Sequence, residues 1–270
     1  MSSTPAIEEL AGTAPDLPPS GRLKGRVCLV TGATSGIGRA TALRMAAEGA
    51  AAVVVTGRRE ELGQSLAVEV RERGAECLFV AADATREHDI VSTLQQAHAR
   101  FGRLDAVFNN AGCQERRGPL VAQSDEVYCR VFDTNVRALF HSMRHAITAM
   151  LASGGGTIVN NTSVSGIRNP NAGLSLYSAS KAAANSLTRS AAMEYAPAGI
   201  RINAVAPGRV LTDMMLSSGI ADMRTVAAGL PLRRMGHPEE VAAAAIWLMS
   251  DEARYVVGHV LATDGGFLAG

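Results

Sequence analysis

Arg26-Val27-Cys28-Leu29-Val30-Thr31-Gly32-Ala33-Thr34-Ser35-Gly36-Ile37-Gly38 is the stretch that decides the fold. A short apolar run enters a turn with three glycines. A helical pattern then runs from Arg39 to Glu48 and stops at Gly49. Strand, glycine turn, helix is the context a dinucleotide fingerprint requires. Glycine lets the backbone come close to a pyrophosphate, and the helix N-terminus supplies free N–H groups and the positive end of its dipole. The spacing is TGxxxGxG rather than GxGxxG. A plain strand-to-helix turn seldom needs three glycines.

The same alternation continues outward. Ala51 to Thr56 reads as a second strand, Glu60 to Arg73 as an amphipathic helix, and Glu76 to Ala81 as a third strand ending at Ala82-Asp83. Glu87 to Phe101 is helical, and Asp105 to Phe108 is a fourth strand before Asn109-Asn110-Ala111-Gly112. Ser124 to Leu151 reads as one long, mostly helical stretch with Asn135 inside it. Gly156 to Asn160 and Ile200 to Ala206 are further strands, with a helix between them. Pro238 opens another helix, and Gly258 to Thr263 is a last short strand. Strands alternating with helices predict an α/β fold: a Rossmann-type, doubly wound parallel sheet of about seven strands with helices on both faces. Ligands then sit beyond the carboxyl ends of the strands.

A chain of 270 residues fits one such domain, read here as residues 21–270, with residues 1–20 as a flexible N-terminal tail carrying four prolines. Asp213 to Gly236 has weaker patterning and is expected to be a mobile lid. The formal net charge is +1, so neither nucleic acid nor a membrane surface is an expected partner. No apolar run reaches the length of a membrane span, and Glu8, Glu9 and Asp16 do not suit a signal peptide. Cys28, Cys77, Cys113 and Cys129 form no CxxC, and are expected to be reduced thiols of a cytoplasmic protein. His141 and His145 stand four apart, a metal-ligand spacing. No third ligand lies near them in sequence, so a structural or solvated pair is expected and no metal.

Two further features point to chemistry. Tyr177-Ser178-Ala179-Ser180-Lys181 puts a phenol and an ammonium on one helix face. An adjacent ammonium favours the phenolate and is expected to bring Tyr177 toward a usable pKa. The second strand ends in Gly57-Arg58-Arg59, where an NAD site would carry an acid for the ribose hydroxyl. Arginine instead pairs a 2′-phosphate, so Arg58 favours NADP(H) over NAD(H). Arg58 and Arg59 could also be merely solvated.

Together these residues resemble those of the short-chain dehydrogenase/reductases of the classical type, from about Gly25 to Gly266. TGxxxGIG at Thr31 to Gly38, NNAG at Asn109 to Gly112, Ser163, YxxxK at Tyr177 to Lys181 and Pro207-Gly208 come in that family's order. The resemblance implies an oxidoreductase that moves a hydride between a nicotinamide and a carbonyl or secondary alcohol. Tyr177 would carry the substrate proton, Lys181 would lower its pKa and hold the nicotinamide ribose, and Ser163 would bond the reacting oxygen. Asn135 would support a water and proton relay behind Lys181. Gly32, Thr34, Ser35, Gly36, Ile37 and Gly38 would cradle the cofactor phosphates. Asp83 and Ala84 would meet the adenine, and Asn109, Ala111 and Gly112 the adjoining ribose region. Pro207, Gly208, Val210 and Thr212 would face the nicotinamide end. A homotetramer is implied, built on the helices at Ser124 to Leu151 and Leu176 to Tyr195.

The favoured activity is NADPH-dependent reduction of a ketone or 3-oxoacyl group. NAD-dependent oxidation of a sugar or steroid-like alcohol, a non-catalytic NADP sensor, and a dehydratase or epimerase are the alternatives. Cys113, Ser165, Asn171, Leu174, Met214 and Met215 are the expected substrate pocket, mixed to apolar and without a cluster of cations. The loop from Glu115 to Gly118 reads either as a site for an anionic carrier or as a solvated loop.

Overall fold

Each apolar run becomes a strand of one parallel sheet. The strands are β1 (Val27–Val30), β2 (Ala52–Gly57), β3 (Glu76–Ala81), β4 (Ala106–Asn109), β5 (Gly156–Asn161), β6 (Ile200–Pro207) and β7 (Val260–Thr263). The computed structural model describes residues 7–169, 172–220 and 222–270. Their order across the sheet is β3-β2-β1-β4-β5-β6-β7, and every pairing is parallel. The helices are α1 (Ile7–Ala11), α2 (Gly36–Ala47), α3 (Glu60–Glu72), α4 (Glu87–Phe101), α5 (Asp125–Phe132), α6 (Ala138–Ser153), α7 (Ser175–Tyr195), α8 (Asp213–Leu216), α9 (Met223–Ala228) and α10 (Pro238–Met249). The expected doubly wound architecture is the one observed.

Strand periodicity divides the core into two. Side chains of a strand alternate between faces. Cys28, Val30, Val53 and Val55 therefore join Met45 of α2, Leu66 of α3 and Ile246 of α10 on one face. Leu29, Val54, Val107 and Ile158 meet Ala97 of α4, Met143 and Ile147 of α6 and Ala192 of α7 on the other. Both faces are covered, so β1 and β2 are buried at every position and their sequences are continuous apolar runs. Among the described residues no helix is long and apolar enough to cross a membrane.

Three segments differ from expectation. The long helical stretch after Ser124 is interrupted: a π-helical turn, Asp133–Arg137, separates α5 from α6 and buries Asn135. An inserted residue of this kind leaves no trace in a helical sequence pattern. The expected free tail is also docked over its described part. Leu10 and Ala11 are buried with Leu211, Met223 and Met235, and the Met235 N–H donates to the Leu10 carbonyl at 2.7 Å. Arg44 donates to the Leu17 and Pro18 carbonyls. The side chain of Glu48, fully covered, accepts from the amides of Ser20 at 2.9 Å and Arg22 at 3.0 Å and pairs with Arg44 at 2.6 Å. Prolines exclude regular structure here, but they do not stop the backbone from being pinned by side chains of α2. The remaining tail residues lie outside the described ones. The stretch expected as a lid folds into α8 and α9, and its Met223, Ala227 and Met235 form the seat on which α1 rests.

Candidate active site

The turns leaving β1, β4, β5 and β6 converge where the winding reverses, between β1 and β4. They line a cleft of about 560 Å³. Two glycines keep its walls close. Gly32 has φ +62°, and a Cβ there would fall 2.9 Å from the Ala111 Cα. Gly36 has φ +54°, and a Cβ there would lie 3.2 Å from the Thr212 methyl. Any side chain would strain the backbone and narrow the passage. Ser35 precedes α2 without capping it, so its side chain leaves the first-turn N–H groups alone. A glycine cradle against an uncapped helix N-terminus fits a pyrophosphate.

Two arginines stand at the far end of the cradle. Both Arg58 and Arg59 line the cleft. Arg59 donates to Thr34 Oγ1 at 3.0 Å and to Ser35 Oγ at 2.6 Å, which ties the end of β2 to the glycine turn. Asp83 lies opposite. Partial burial opposes its charge, but hydrogen bonds from Thr85 and the nearby Arg58 and Arg86 outweigh that and hold its carboxyl below the usual range.

The expected phosphate-side and nicotinamide-side residues come together with two exceptions. Thr34, Ser35, Ile37, Ala84, Ala111, Gly112, Pro207, Gly208, Val210 and Thr212 all line the cleft. Gly38 does not; it lies beneath, where a Cβ would fall 2.4 Å from Asn110 Nδ2. Asn109 does not either. Its side chain turns into the core, donating to Asn160 Oδ1 at 2.9 Å and accepting from Ser142 Oγ at 2.6 Å. Neighbouring strand-end residues point to opposite faces, so Asn110 takes the cleft position. It donates to the Thr31 and Gly32 carbonyls and accepts from Asn161 Nδ2 at 2.8 Å.

Ser163, Tyr177 and Lys181 line one wall together. Ser163 leaves β5 and its Oγ accepts from the Ser165 amide at 3.1 Å. The Ser163 hydroxyl lies near enough to Tyr177 to favour its phenolate. Lys181 Nζ passes the Tyr177 ring at 5.7 Å from its centroid and donates to the Asn161 carbonyl at 2.8 Å. Burial pulls the Lys181 ammonium down to about 8. The expected lowering of the Tyr177 pKa is not what this arrangement produces. Burial raises it above the ordinary phenol value; the Ser163 hydroxyl opposes that, Cys113 and Glu115 add to it, and Arg209 opposes it. The ring keeps some exposure to the cleft, but dense protein around the hydroxyl makes desolvation the leading influence.

Asn135 supports the site from behind. Its Oδ1 accepts from the Cys113 amide at 2.9 Å, and its Nδ2 donates to the Cys113 carbonyl at 2.8 Å and to Ser180 Oγ at 2.9 Å. The π turn places it between the turn after β4 and helix α7. Its side chain thus clamps two walls of the cleft, the turn after β4 and helix α7.

The pocket expectation needs two corrections. Cys113, Ser165, Leu174, Met214 and Met215 do line the cleft, whereas Asn171 lies outside the described residues. Arg117, Arg130 and Arg209 line it too, so cations are gathered there. In the loop from Glu115 to Gly118, Arg116 is exposed, but Glu115 is 2 % exposed and accepts from the amides of Leu176 and Tyr177 at 2.9 Å each. Helix α7 has no side-chain cap of its own at Leu174, and Glu115 fills that role from a distant loop. Away from the cleft, the Glu87 carboxylate reaches His145 Nε2 at 2.8 Å and His141 Nδ1 at 3.5 Å, and Arg144 pairs with it as well. The fold supplies the third group that the histidines lack in sequence, and a guanidinium already shares it.

A family model described as enoyl-(acyl carrier protein) reductase matches residues 32–268. The chain is a short-chain dehydrogenase/reductase. It is 44 % identical over 252 residues to the A-factor type gamma-butyrolactone 1′-reductase (1S-forming) of Streptomyces virginiae, covering 92 % of this chain and 97 % of that one. It is 44 % identical over 246 residues to the cis-4-hydroxycyclohexanecarboxylate dehydrogenase of Sinomonas cyclohexanicum, covering 90 % and 97 %. The crystal structure of levodione reductase superposes with a TM-score of 0.88 at 36 % identity, over 92 % of this chain and 99 % of that one. As a short-chain dehydrogenase/reductase, the chain is an NAD(P)-dependent oxidoreductase that acts on CH–OH groups and their carbonyl counterparts.

Sequence reasoning named Asn110, Arg59 and Glu115 without giving any of them the place it holds at the site. The first follows from strand alternation at β4. Nothing local signals the others, because their partners lie 24 to 62 residues away. Replacing Glu115 by Ala is expected to cost about 0.5–2 kcal/mol, as for other lost N-caps, in a urea unfolding curve. Glu115→Gln removes a negative charge that opposes the phenolate, so the Tyr177 phenol should then ionise at lower pH. Ultraviolet titration, read as the difference from Tyr177→Phe, would show that shift; an unchanged or higher midpoint would contradict the geometry.

Proposed function

We propose that the chain reduces a ring-bearing ketone to a secondary alcohol with NADPH. The observation that carries this reading is the placement of Ser163, Tyr177 and Lys181 on one wall of a cleft whose other end holds Arg58 and Arg59. The names of two relatives, which act on a gamma-butyrolactone and on a hydroxycyclohexanecarboxylate, support a ring substrate.

The nicotinamide, when bound, supplies the hydride chemistry. The protein orients the substrate and handles the proton. Tyr177 gives its phenolic proton to the substrate oxygen, and its raised pKa keeps it protonated at neutral pH, as reduction requires. The Ser163 hydroxyl bonds the same oxygen and stabilises the charge that develops there. Lys181, anchored on the Asn161 carbonyl, would hold the nicotinamide ribose. Arg58 would hold the 2′-phosphate, and Arg59 is tied to the Thr34 and Ser35 hydroxyls at the same end of the cleft. Gly57 stands where an acid would otherwise repel that phosphate.

The same reading includes a homotetramer. Tyr128, Phe140, Leu151 and Met193 leave large apolar surfaces exposed on α5, α6 and α7, which supports helix contact between copies.

Tyr177→Phe is expected to lower turnover by two orders of magnitude or more while NADPH still binds; near-normal turnover would sink the assignment. Fluorescence titration should show NADPH binding at least tenfold tighter than NADH, about 1.4 kcal/mol, with the difference lost in Arg58→Ala. Equal affinities in the unaltered protein would overturn the phosphate reading. Light scattering should give four times the 28.1 kDa of one chain; a monomer would refute the assembly.

A further inference from the structure

Beside the two cores of the sheet the chain builds a third, smaller one. Leu10 and Ala11 of α1 are each 1 % exposed and pack with Leu211, Met223, Ala227 and Met235, while Met215 leans on the same group. No strand contributes to this cluster. The helices around it are short: five residues in α1, four in α8 and six in α9. Helices of that length do not hold by themselves in water. Each is therefore ordered by the packing it shares with the others.

Polar contacts fix the N-terminal segment at the same place. The Met235 amide donates to the Leu10 carbonyl at 2.7 Å. His237, buried just before α10, donates from Nε2 to the Gly12 carbonyl at 3.1 Å. The Glu9 carboxylate meets Arg224 of α9 at 3.6 Å. Further along, Arg44 holds the Leu17 and Pro18 carbonyls, so the segment is anchored at both ends.

What the segment rests on is also a wall of the cleft. Thr212, Asp213, Met214 and Met215 line it. Met215 belongs to both, facing the cleft and packing against the Leu10 cluster. Gln114, from the loop after β4, reaches across to the Met214 carbonyl at 3.4 Å. Ser163, Tyr177 and Lys181 stand at the end of β5 and on α7, which take no part in the third core. The wall can thus lose its support while the reacting groups keep theirs.

We propose that Leu10 is a positioning residue: by filling the seat beside α8 and α9 it holds Met215 and the segment from Leu211 to Met235 against the substrate. This rests on the reading of the cleft as a carbonyl-reducing site. With the seat filled, the wall closes on a ring ketone. With it empty, the short helices lose their order and the wall opens.

The test compares the unaltered full chain with Leu10→Asp, Ala11→Asp and the conservative Leu10→Met. Hydrogen exchange over residues 211–235 is expected to run at least tenfold faster in the two Asp variants and to return to the unaltered rate in Leu10→Met. Exchange over α7 should be the same in all four, which shows that the sheet and its helices stay folded. With cyclohexanone and NADPH, the ketone KM should rise at least fivefold in the Asp variants, with kcat within twofold. A merely structural segment would lower the amount of active enzyme, and so kcat, and leave KM alone. Unchanged exchange over 211–235 overturns the proposal. So does an unchanged KM, or faster exchange that spreads equally to α7. Failure of the unaltered chain to reduce cyclohexanone counts against the carbonyl-reducing reading instead, and exchange alone then decides whether Leu10 holds the wall.

Discussion

The site depends on how closely two backbone turns approach. The chain winds one way from β1 to β3 and the other way from β4 to β7, so β1 and β4 are neighbours whose following segments diverge. The gap they leave is the cleft. Its width is set where the turn after β1 meets the turn after β4, with Gly32 against Ala111. Asn110 then bridges the two turns by donating to the Thr31 and Gly32 carbonyls. A side chain at Gly32 would push the walls apart and break that bridge. The phosphate cradle, the cleft volume and the approach of α7 all follow from this contact.

Around that frame, polar side chains hold Tyr177 and Lys181 by reaching between distant segments. Asn135 ties the turn after β4 to Ser180 of α7, and the π turn is what puts it at the right depth. Glu115 ties the next stretch of the same loop to the first turn of α7. Lys181 ties α7 to the end of β5. Tyr177 is thus fixed from three sides by buried or partly buried bonds, which are worth more there than in open water. The same burial that orders the site raises the Tyr177 phenol pKa and lowers that of the Lys181 ammonium. Proton donation by Tyr177 suits that balance; an apo-state phenolate does not.

Cationic charge divides the cleft into two ends. Arg58 and Arg59 stand beyond the glycine cradle, and Arg117 and Arg209 stand near Tyr177. Between them the lining is mostly small residues and backbone. The chain's net charge of +1 gives no hint of this, because acids and bases balance over the whole surface. The concentration of charge is a property of the crevice.

The sequence by itself determined the fold class, the seven strands nearly to the residue, the glycine turn after β1 and the Tyr177–Lys181 spacing on one helix face, while the part of Ser163 came from the family resemblance. These rest on local rules: strands alternate with period two, helices repeat every 3.6 residues, and glycine marks turns that no other residue can make. Only the tertiary structure decided the rest. It turned Asn109 inward and Asn110 outward, inserted the π turn at Asn135, placed Glu115 under α7 and docked Leu10 on the segment from Leu211 to Met235. It also brought Arg117 and Arg209 into one cleft, where the sequence pattern suggested an apolar pocket. Each of these depends on a partner far along the chain or on a one-residue change in helix geometry. Periodicity describes the neighbours a residue has along its own element. It does not describe the atoms that folding brings against it.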